Sequence, residues 1–136
     1  MSDAKQFTSR KVLDIFNDDI SERQLQWWDE KGLLVPKMIS RRRVYSAADI
    51  LDVAFIAELR RKGVSIQKIR AIVRRLRKAC PLKRFEDSRE ELFLLTDGKA
   101  ILIEPAAGVI VRLKSACAAL TVISLSDCWR RVKGCK

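Results

Sequence analysis

The sequence predicts an α+β protein, with four helices in its first half and a small β-rich module in its second. Three observations carry that expectation. Up to residue 79, apolar residues recur at helical spacing beneath long charged faces. Beyond Pro81 come glycine, proline and β-branched residues, with an Asp-Gly turn between two apolar runs. Finally, 136 residues at 48% hydrophobic and 33% charged content suit one ordinary domain or two small ones. A boundary at about residues 79–84 divides the chain into segments 6–79 and 84–136.

The first helix starts at Thr8 or Ser9, either of which can cap it, and runs to Phe16 with Val12, Leu13 and Phe16 on one face. Asn17, Asp18 and Asp19 form a turn. Ser21 then caps a second helix, and Gln24 three residues on completes a capping box. That helix carries Leu25, Trp27 and Trp28 and stops at Gly32, which suits a left-handed C′ position. Residues 33–36 and 43–45 read as two short extended segments around a basic loop. Ser46 opens a third helix, with Asp49 as capping partner, and Gly63 closes it. Ser65 caps the fourth, where Ile66, Ile69, Ile72, Val73 and Leu76 form a stripe and Arg70, Arg74, Arg75 and Arg77 face elsewhere.

In the second half, residues 91–96 and 100–103 flank Asp97-Gly98-Lys99 as a β-hairpin, since that turn wants positive φ. Residues 109–113 are a third strand candidate and 122–125 another; 115–120 fits either class. Ser126 and Asp127 cap a short last helix from Cys128 to Lys133.

Charge narrows the partners. Lys and Arg number 28 against 17 Asp and Glu, a net +11, of which residues 1–78 hold +8. Such an excess points to a polyanion. There is no histidine, which excludes Ser-His-Asp and Cys-His catalysis and imidazole metal sites. No nucleophile–base pair and no phosphate-cradling loop is visible, so the chain reads as no enzyme and needs no cofactor. The polar start predicts no secretory signal, and no apolar run approaches the ~18 residues of a membrane span. Cys80, Cys117, Cys128 and Cys135 form no C-x-x-C pair, which suits buried thiols in a reducing cytoplasm. A soft-metal thiolate site from Cys80, Cys117 and Cys128 is the alternative.

Helix, tight turn, helix and then a short basic hairpin is a DNA-reading layout: a helix enters the major groove while the wing reaches backbone or minor groove. The plain rival is a helical domain with solvated charge. The basic run Arg41-Arg42-Arg43 sits where a wing is needed, which favours the winged helix–turn–helix.

Residues 23–36, Arg-Gln-Leu-Gln-Trp-Trp-Asp-Glu-Lys-Gly-Leu-Leu-Val-Pro, resemble the second-helix signature of MerR-type regulators, Arg-x-Leu-Arg-Tyr-Tyr-Glu-x-x-Gly-Leu-Leu-x-Pro. Residues 43–46, Arg-Val-Tyr-Ser, resemble that family's wing end, and Asp49-Ile50 with residues 61–69 its third-to-fourth-helix junction. The resemblance covers about residues 7–77. It implies a winged helix–turn–helix that binds double-stranded DNA and regulates transcription. By position it implies DNA contacts from Arg23, Arg43 and Tyr45, with Arg41 and Arg42 from the wing. Arg10, Arg61 and Lys62 are further candidates for the phosphate backbone. Gln24 and Gln26 share the reading helix, and Gln pairs bidentately with adenine; for Gln24 the capping duty stands as an equal alternative. Trp28 reads as core, whereas Trp27 stands between wing packing and phosphate contact.

Departures from the family pattern matter too. Gln26 replaces its second Arg, and Trp27-Trp28 replaces a Tyr pair, leaving one indole N–H where a phenol would be. Family members usually continue into a long dimerising helix, but Pro81, Gly98, Pro105 and Gly108 interrupt any such helix here. The expected function is a sequence-specific transcriptional regulator of MerR type. The family implies a homodimer and RNA polymerase at a promoter as further partners, and no membrane. Alternatives are an excisionase-like architectural DNA-binding protein and a cationic protein–protein interaction module.

Overall fold

The computed structural model describes residues 6–16, 20–79, 91–98, 100–115 and 120–133. Strand β1 (Gln6–Thr8) leads into α1 (Ser9–Ile15), whose N-cap Thr8 hydroxyl accepts the Lys11 N–H at 3.2 Å. Helix α2 (Glu22–Glu30) is held by the expected capping box. The Ser21 hydroxyl accepts the Gln24 N–H at 3.2 Å, and the Gln24 side-chain oxygen accepts the Ser21 N–H at 2.9 Å. Gly32 at φ +70° turns the chain so that the Leu33 and Leu34 N–H groups reach the Trp28 carbonyl at 2.9 and 3.3 Å.

Two expectations change here. Residues 33–36 are not the first strand of the hairpin: Leu33 and Leu34 are buried in the turn after α2, and pairing starts later, in β2 (Lys37–Ile39) against β3 (Arg42–Ser46). The polar start of the chain also contributes β1, which pairs antiparallel with β3 and gives a sheet of order β1-β3-β2. Only Phe7 of β1 is buried, so the strand has too short an apolar pattern to announce itself.

Helix α3 (Ala47–Arg61) begins with a second capping box, Ser46 with Asp49, and ends before Gly63 at φ +87°. Helix α4 (Ile66–Ala79) buries Ile69, Ile72, Val73 and Leu76 along one stripe. Every residue of α3 from Ile50 to Ala57 is buried, so this helix is the centre of the molecule rather than an amphipathic surface helix.

The second half is mixed rather than β-rich. Strands β4 (Leu92–Thr96), β5 (Ile101–Pro105) and β6 (Thr121–Ser124) form an antiparallel sheet of order β5-β4-β6. The expected strand at 109–113 lies instead inside helix α5 (Ala106–Ser115). Ala106 and Ala107 favour the first turn, and Arg112 pairs with Glu104 at 2.9 Å across the β5–α5 corner, outweighing the β-branched residues. The last helix, α6 (Leu125–Lys133), starts earlier than expected. Its cap is Ser124, whose hydroxyl accepts the Asp127 N–H at 3.1 Å, while the Ser126 hydroxyl accepts the Leu92 N–H at 2.8 Å and ties α6 to β4.

Leu92, Leu94, Ile123, Leu125 and Cys128 belong to the same buried cluster as Ile50, Val53, Ile56 and Leu59 of α3, on which α6 packs. The expected boundary at 79–84 lies almost wholly outside the described residues, as do Cys80, Cys117 and Cys135. Cys128, the third member of the thiol alternative, is buried; burial first, then the Glu58 and Asp127 carboxylates, push its thiol up to about 12.

Candidate nucleic-acid interface

Helix α2 buries Leu25 and Trp28, which lie 300° apart in the direction of travel and so define one inner arc of the wheel. Arg23, Gln26, Trp27 and Glu30 fall on the opposite arc and are exposed, lining a shallow depression. Asp29 sits at the border between the arcs. Its carboxylate accepts the Arg43 Nε–H at 2.7 Å, with 21% of the Asp29 and 34% of the Arg43 side chain exposed. Arg43 lies on β3, so this ion pair fastens the hairpin to the flank of the helix. The same carboxylate holds the Arg43 guanidinium more firmly protonated than usual.

The β2–β3 hairpin turns through Ser40 at φ +51° and Arg41 at φ +67°, two consecutive left-handed residues without a glycine. That is the backbone a tight antiparallel turn requires, and its twist matches the strands it joins. Lys37, Arg41 and Arg42 are all exposed on the hairpin. An outward helix face and a basic hairpin, fixed side by side by one buried-edge ion pair, give the surface that the helix–turn–helix layout anticipates.

Residues 19–76 match the family model of the MerR HTH family regulatory proteins. Over these residues the chain is similar to the helix–turn–helix of that family. No curated protein matches the chain.

Across this MerR-like segment and its flanks the anticipated contact residues separate. Arg23, Gln26, Trp27, Arg41 and Arg42 are brought to one side of the α2–hairpin unit and are exposed. Gln24 is exposed as well, but its amide is committed to the capping box. Gln26 is not wholly without local duty, since its Nε2 stands 3.4 Å from Glu30 Oε2, one turn along. At that distance and exposure the contact is weak and easily exchanged for a base edge. Trp28 is core, at 2% exposure, and Trp27 keeps 39%. On the wheel Trp27 lies across the outer arc from Asp29, away from the hairpin, which leaves wing packing without support.

Tyr45 departs from its expected role. Its ring is fully buried, its hydroxyl makes no well-formed hydrogen bond apart from the neighbourhood of Ser9, and burial raises its pKa. A phenol enclosed in the core touches no phosphate. Arg43 is likewise better described as a positioning residue, because its charge is already answered by Asp29. Arg10 is exposed on the first turn of α1. Arg61 pairs with Glu58 at 3.2 Å and lines a cleft with Asp127, Cys128 and Arg131 of α6, so it faces the second half; Lys62 caps α3 beside it and is exposed.

Three residues that shape or extend this surface were not among the candidates named from the sequence. Asp29 anchors the hairpin; its border position on the helical wheel was the available signal. Lys37 adds a cation to the hairpin, and the strand register reveals it. Arg70 of α4 donates to the carbonyl of Lys31, just beyond the end of α2. A pair 39 residues apart in sequence left no local signal.

Proposed function

We propose that this protein is a sequence-specific regulator of transcription that binds double-stranded DNA through α2 and the β2–β3 hairpin. The observation that carries the reading is the Asp29–Arg43 ion pair, which sets the exposed Arg23, Gln26 and Trp27 face beside the exposed Arg41 and Arg42. Helix α2 enters the major groove, where Gln26 and Arg23 reach base edges. Arg41, Arg42 and Lys37 hold the phosphate backbone, which supplies affinity but no sequence information. Arg10, Arg61 and Lys62 belong to the reading only as outlying phosphate contacts. A homodimer on a two-fold operator, next to RNA polymerase at a promoter in the cytoplasm, completes it.

Selection of bound duplexes from a random pool tests the proposal. One enriched motif is expected, palindromic for a dimer, with log affinity falling against log salt at a slope of about −5 for six phosphate contacts. A slope near zero with no enrichment would refute it. One observation favours a second reading. Among the described residues beyond 79, the longest helix is α5 with 10 residues, far short of a coiled-coil dimerising helix. That suits an excisionase-like architectural protein, which a footprint at a recombination site instead of a promoter would identify.

A further inference from the structure

The edge of α4 nearest the end of α2 carries charge that the described chain does not answer. Arg70, Val73, Arg74 and Arg77 stand at i, i+3, i+4 and i+7, in one stripe along that helix. Together with the turn after α2 (residues 32–35) and with Asp49 and Asp52 of α3, they line a cleft of about 170 Å³. Three guanidiniums therefore meet two carboxylates. Both carboxylates go to the same partner, since Arg77 donates to Asp49 at 2.7 Å and to Asp52 at 2.6 Å. Arg70 and Arg74 are left without an acid among the described residues. Arg70 donates to the Lys31 carbonyl, but its Nε–H is buried with no acceptor. Arg74 is exposed and has no acceptor among the described residues. A buried donor without a partner is uncommon in a folded protein and asks for an explanation. A second cavity, of about 360 Å³, adjoins the first and shares Val35, Asp49 and Arg77 with it. Val35 is 63% exposed and forms an apolar floor where the two meet.

We propose that this cleft binds a small phosphate monoester, with its phosphoryl group between Arg70 and Arg74 and its organic body against Val35. A planar carboxylate presents two oxygens in one plane and suits a single guanidinium fork. A phosphoryl group presents three oxygens in a tetrahedral array, which serves two forks standing one helical turn apart. Its charge of about −1.5 to −2 at neutral pH also answers two uncompensated cations, where a carboxylate answers one. The phosphodiester of a nucleic-acid backbone keeps only two free oxygens and a single charge, so a duplex is the poorer occupant. Because Arg70 also holds the Lys31 carbonyl, occupancy of the cleft bears directly on how the end of α2 is fastened to α4.

The test uses the full chain without DNA, so its failure leaves the DNA-binding reading untouched. Titration calorimetry at constant ionic strength compares phenyl phosphate, inorganic phosphate, dimethyl phosphate and acetate. Phenyl phosphate should bind one to one, and more tightly than inorganic phosphate, because only the ester reaches Val35. Dimethyl phosphate and acetate should bind about tenfold more weakly, the equivalent of one charge-assisted hydrogen bond. R74A removes an exposed guanidinium, so it should keep its circular dichroism while weakening phenyl phosphate about tenfold. R70K keeps the charge but removes the Nε–H, and should weaken both phosphates. V35A should weaken phenyl phosphate and leave inorganic phosphate unchanged. K114A, on α5 and outside the cleft, lowers the net charge by the same amount as R74A and should change neither. Equal losses in R74A and K114A would reduce the binding to diffuse attraction by a basic protein and overturn the site. Dimethyl phosphate bound as tightly as phenyl phosphate would make the cleft a contact for a duplex backbone and overturn it as well. Acetate bound as tightly, or no saturable heat from phenyl phosphate, would do the same.

Discussion

Asp52 gives the sharpest quantitative test of how the helices behind α2 and the hairpin are held. It lies on α3 with only 6% of its side chain exposed, and it accepts Arg77 Nε–H from α4 at 2.6 Å. Asp49 claims the same guanidinium at 2.7 Å. Burial raises the Asp52 carboxyl to about 7; Arg77 pulls it down and Asp49 pushes it up further. In the unfolded chain an Asp titrates near 3.9. The folded state therefore holds this proton more tightly than the unfolded state does. The resulting stabilisation is complete below about pH 4 and is lost as pH rises through about 7. Three units correspond to at most about 4 kcal/mol. Asp52→Asn keeps the shape and removes the titration. Urea unfolding of both proteins from pH 4.5 to 7.5 should show the variant gaining on wild type as pH rises, with the slope rather than the offset as the prediction. The offset also contains the lost Arg77 pair, whose half-exposed guanidinium is screened by solvent. A difference that stays flat across the range would show that Arg77 outweighs desolvation and that Asp52 titrates as an ordinary carboxyl.

Four further outcomes are expected. Ser21→Ala removes the acceptor that opens α2 and should lower stability by about 1 kcal/mol in denaturant unfolding, with DNA affinity falling alongside. Arg41→Gly relieves a left-handed φ of +67° and should raise the unfolding free energy by about 1 kcal/mol in denaturant unfolding, while weakening every duplex; a loss of stability would show that the turn is unstrained. Gln26→Ala should relax preference at one operator position by roughly 1–3 kcal/mol, whereas Arg42→Ala should weaken all duplexes alike and reduce the salt slope by about one. Competition between operator and scrambled duplexes measures both, and a reversal of the two patterns would sink the division between reading and holding.

Local chemistry made much of the first half legible. The two capping boxes, Ser21 with Gln24 and Ser46 with Asp49, and the glycines at 32 and 63 act within one helical turn, so they stand in the sequence complete. The Asp97-Gly98 turn is of the same kind, and Gly98 takes φ +100° between β4 and β5. The resemblance of residues 23–36 to the MerR-type signature is carried by consecutive residues too, and the family match covers them.

Other features depended on which surfaces meet. Residues 109–113 have strand-like composition, but the corner made by Glu104 and Arg112 puts them in a helix. Tyr45 has a contact residue's place in the motif, yet β1 pairing with β3 helps bury it in the core. Arg43 stood in the sequence as a contact residue implied by the Arg-Val-Tyr-Ser motif; the Asp29 carboxylate, 14 residues away, distinguishes it as an anchor. The sequence by itself determined the caps, turns, helical stripes and basic excess, because each depends on neighbours a few residues apart or on composition alone. Tertiary structure decided which cations remain free, which aromatic is buried and which face of the hairpin meets α2, because burial and ion pairing depend on residues that the chain brings together only when it folds.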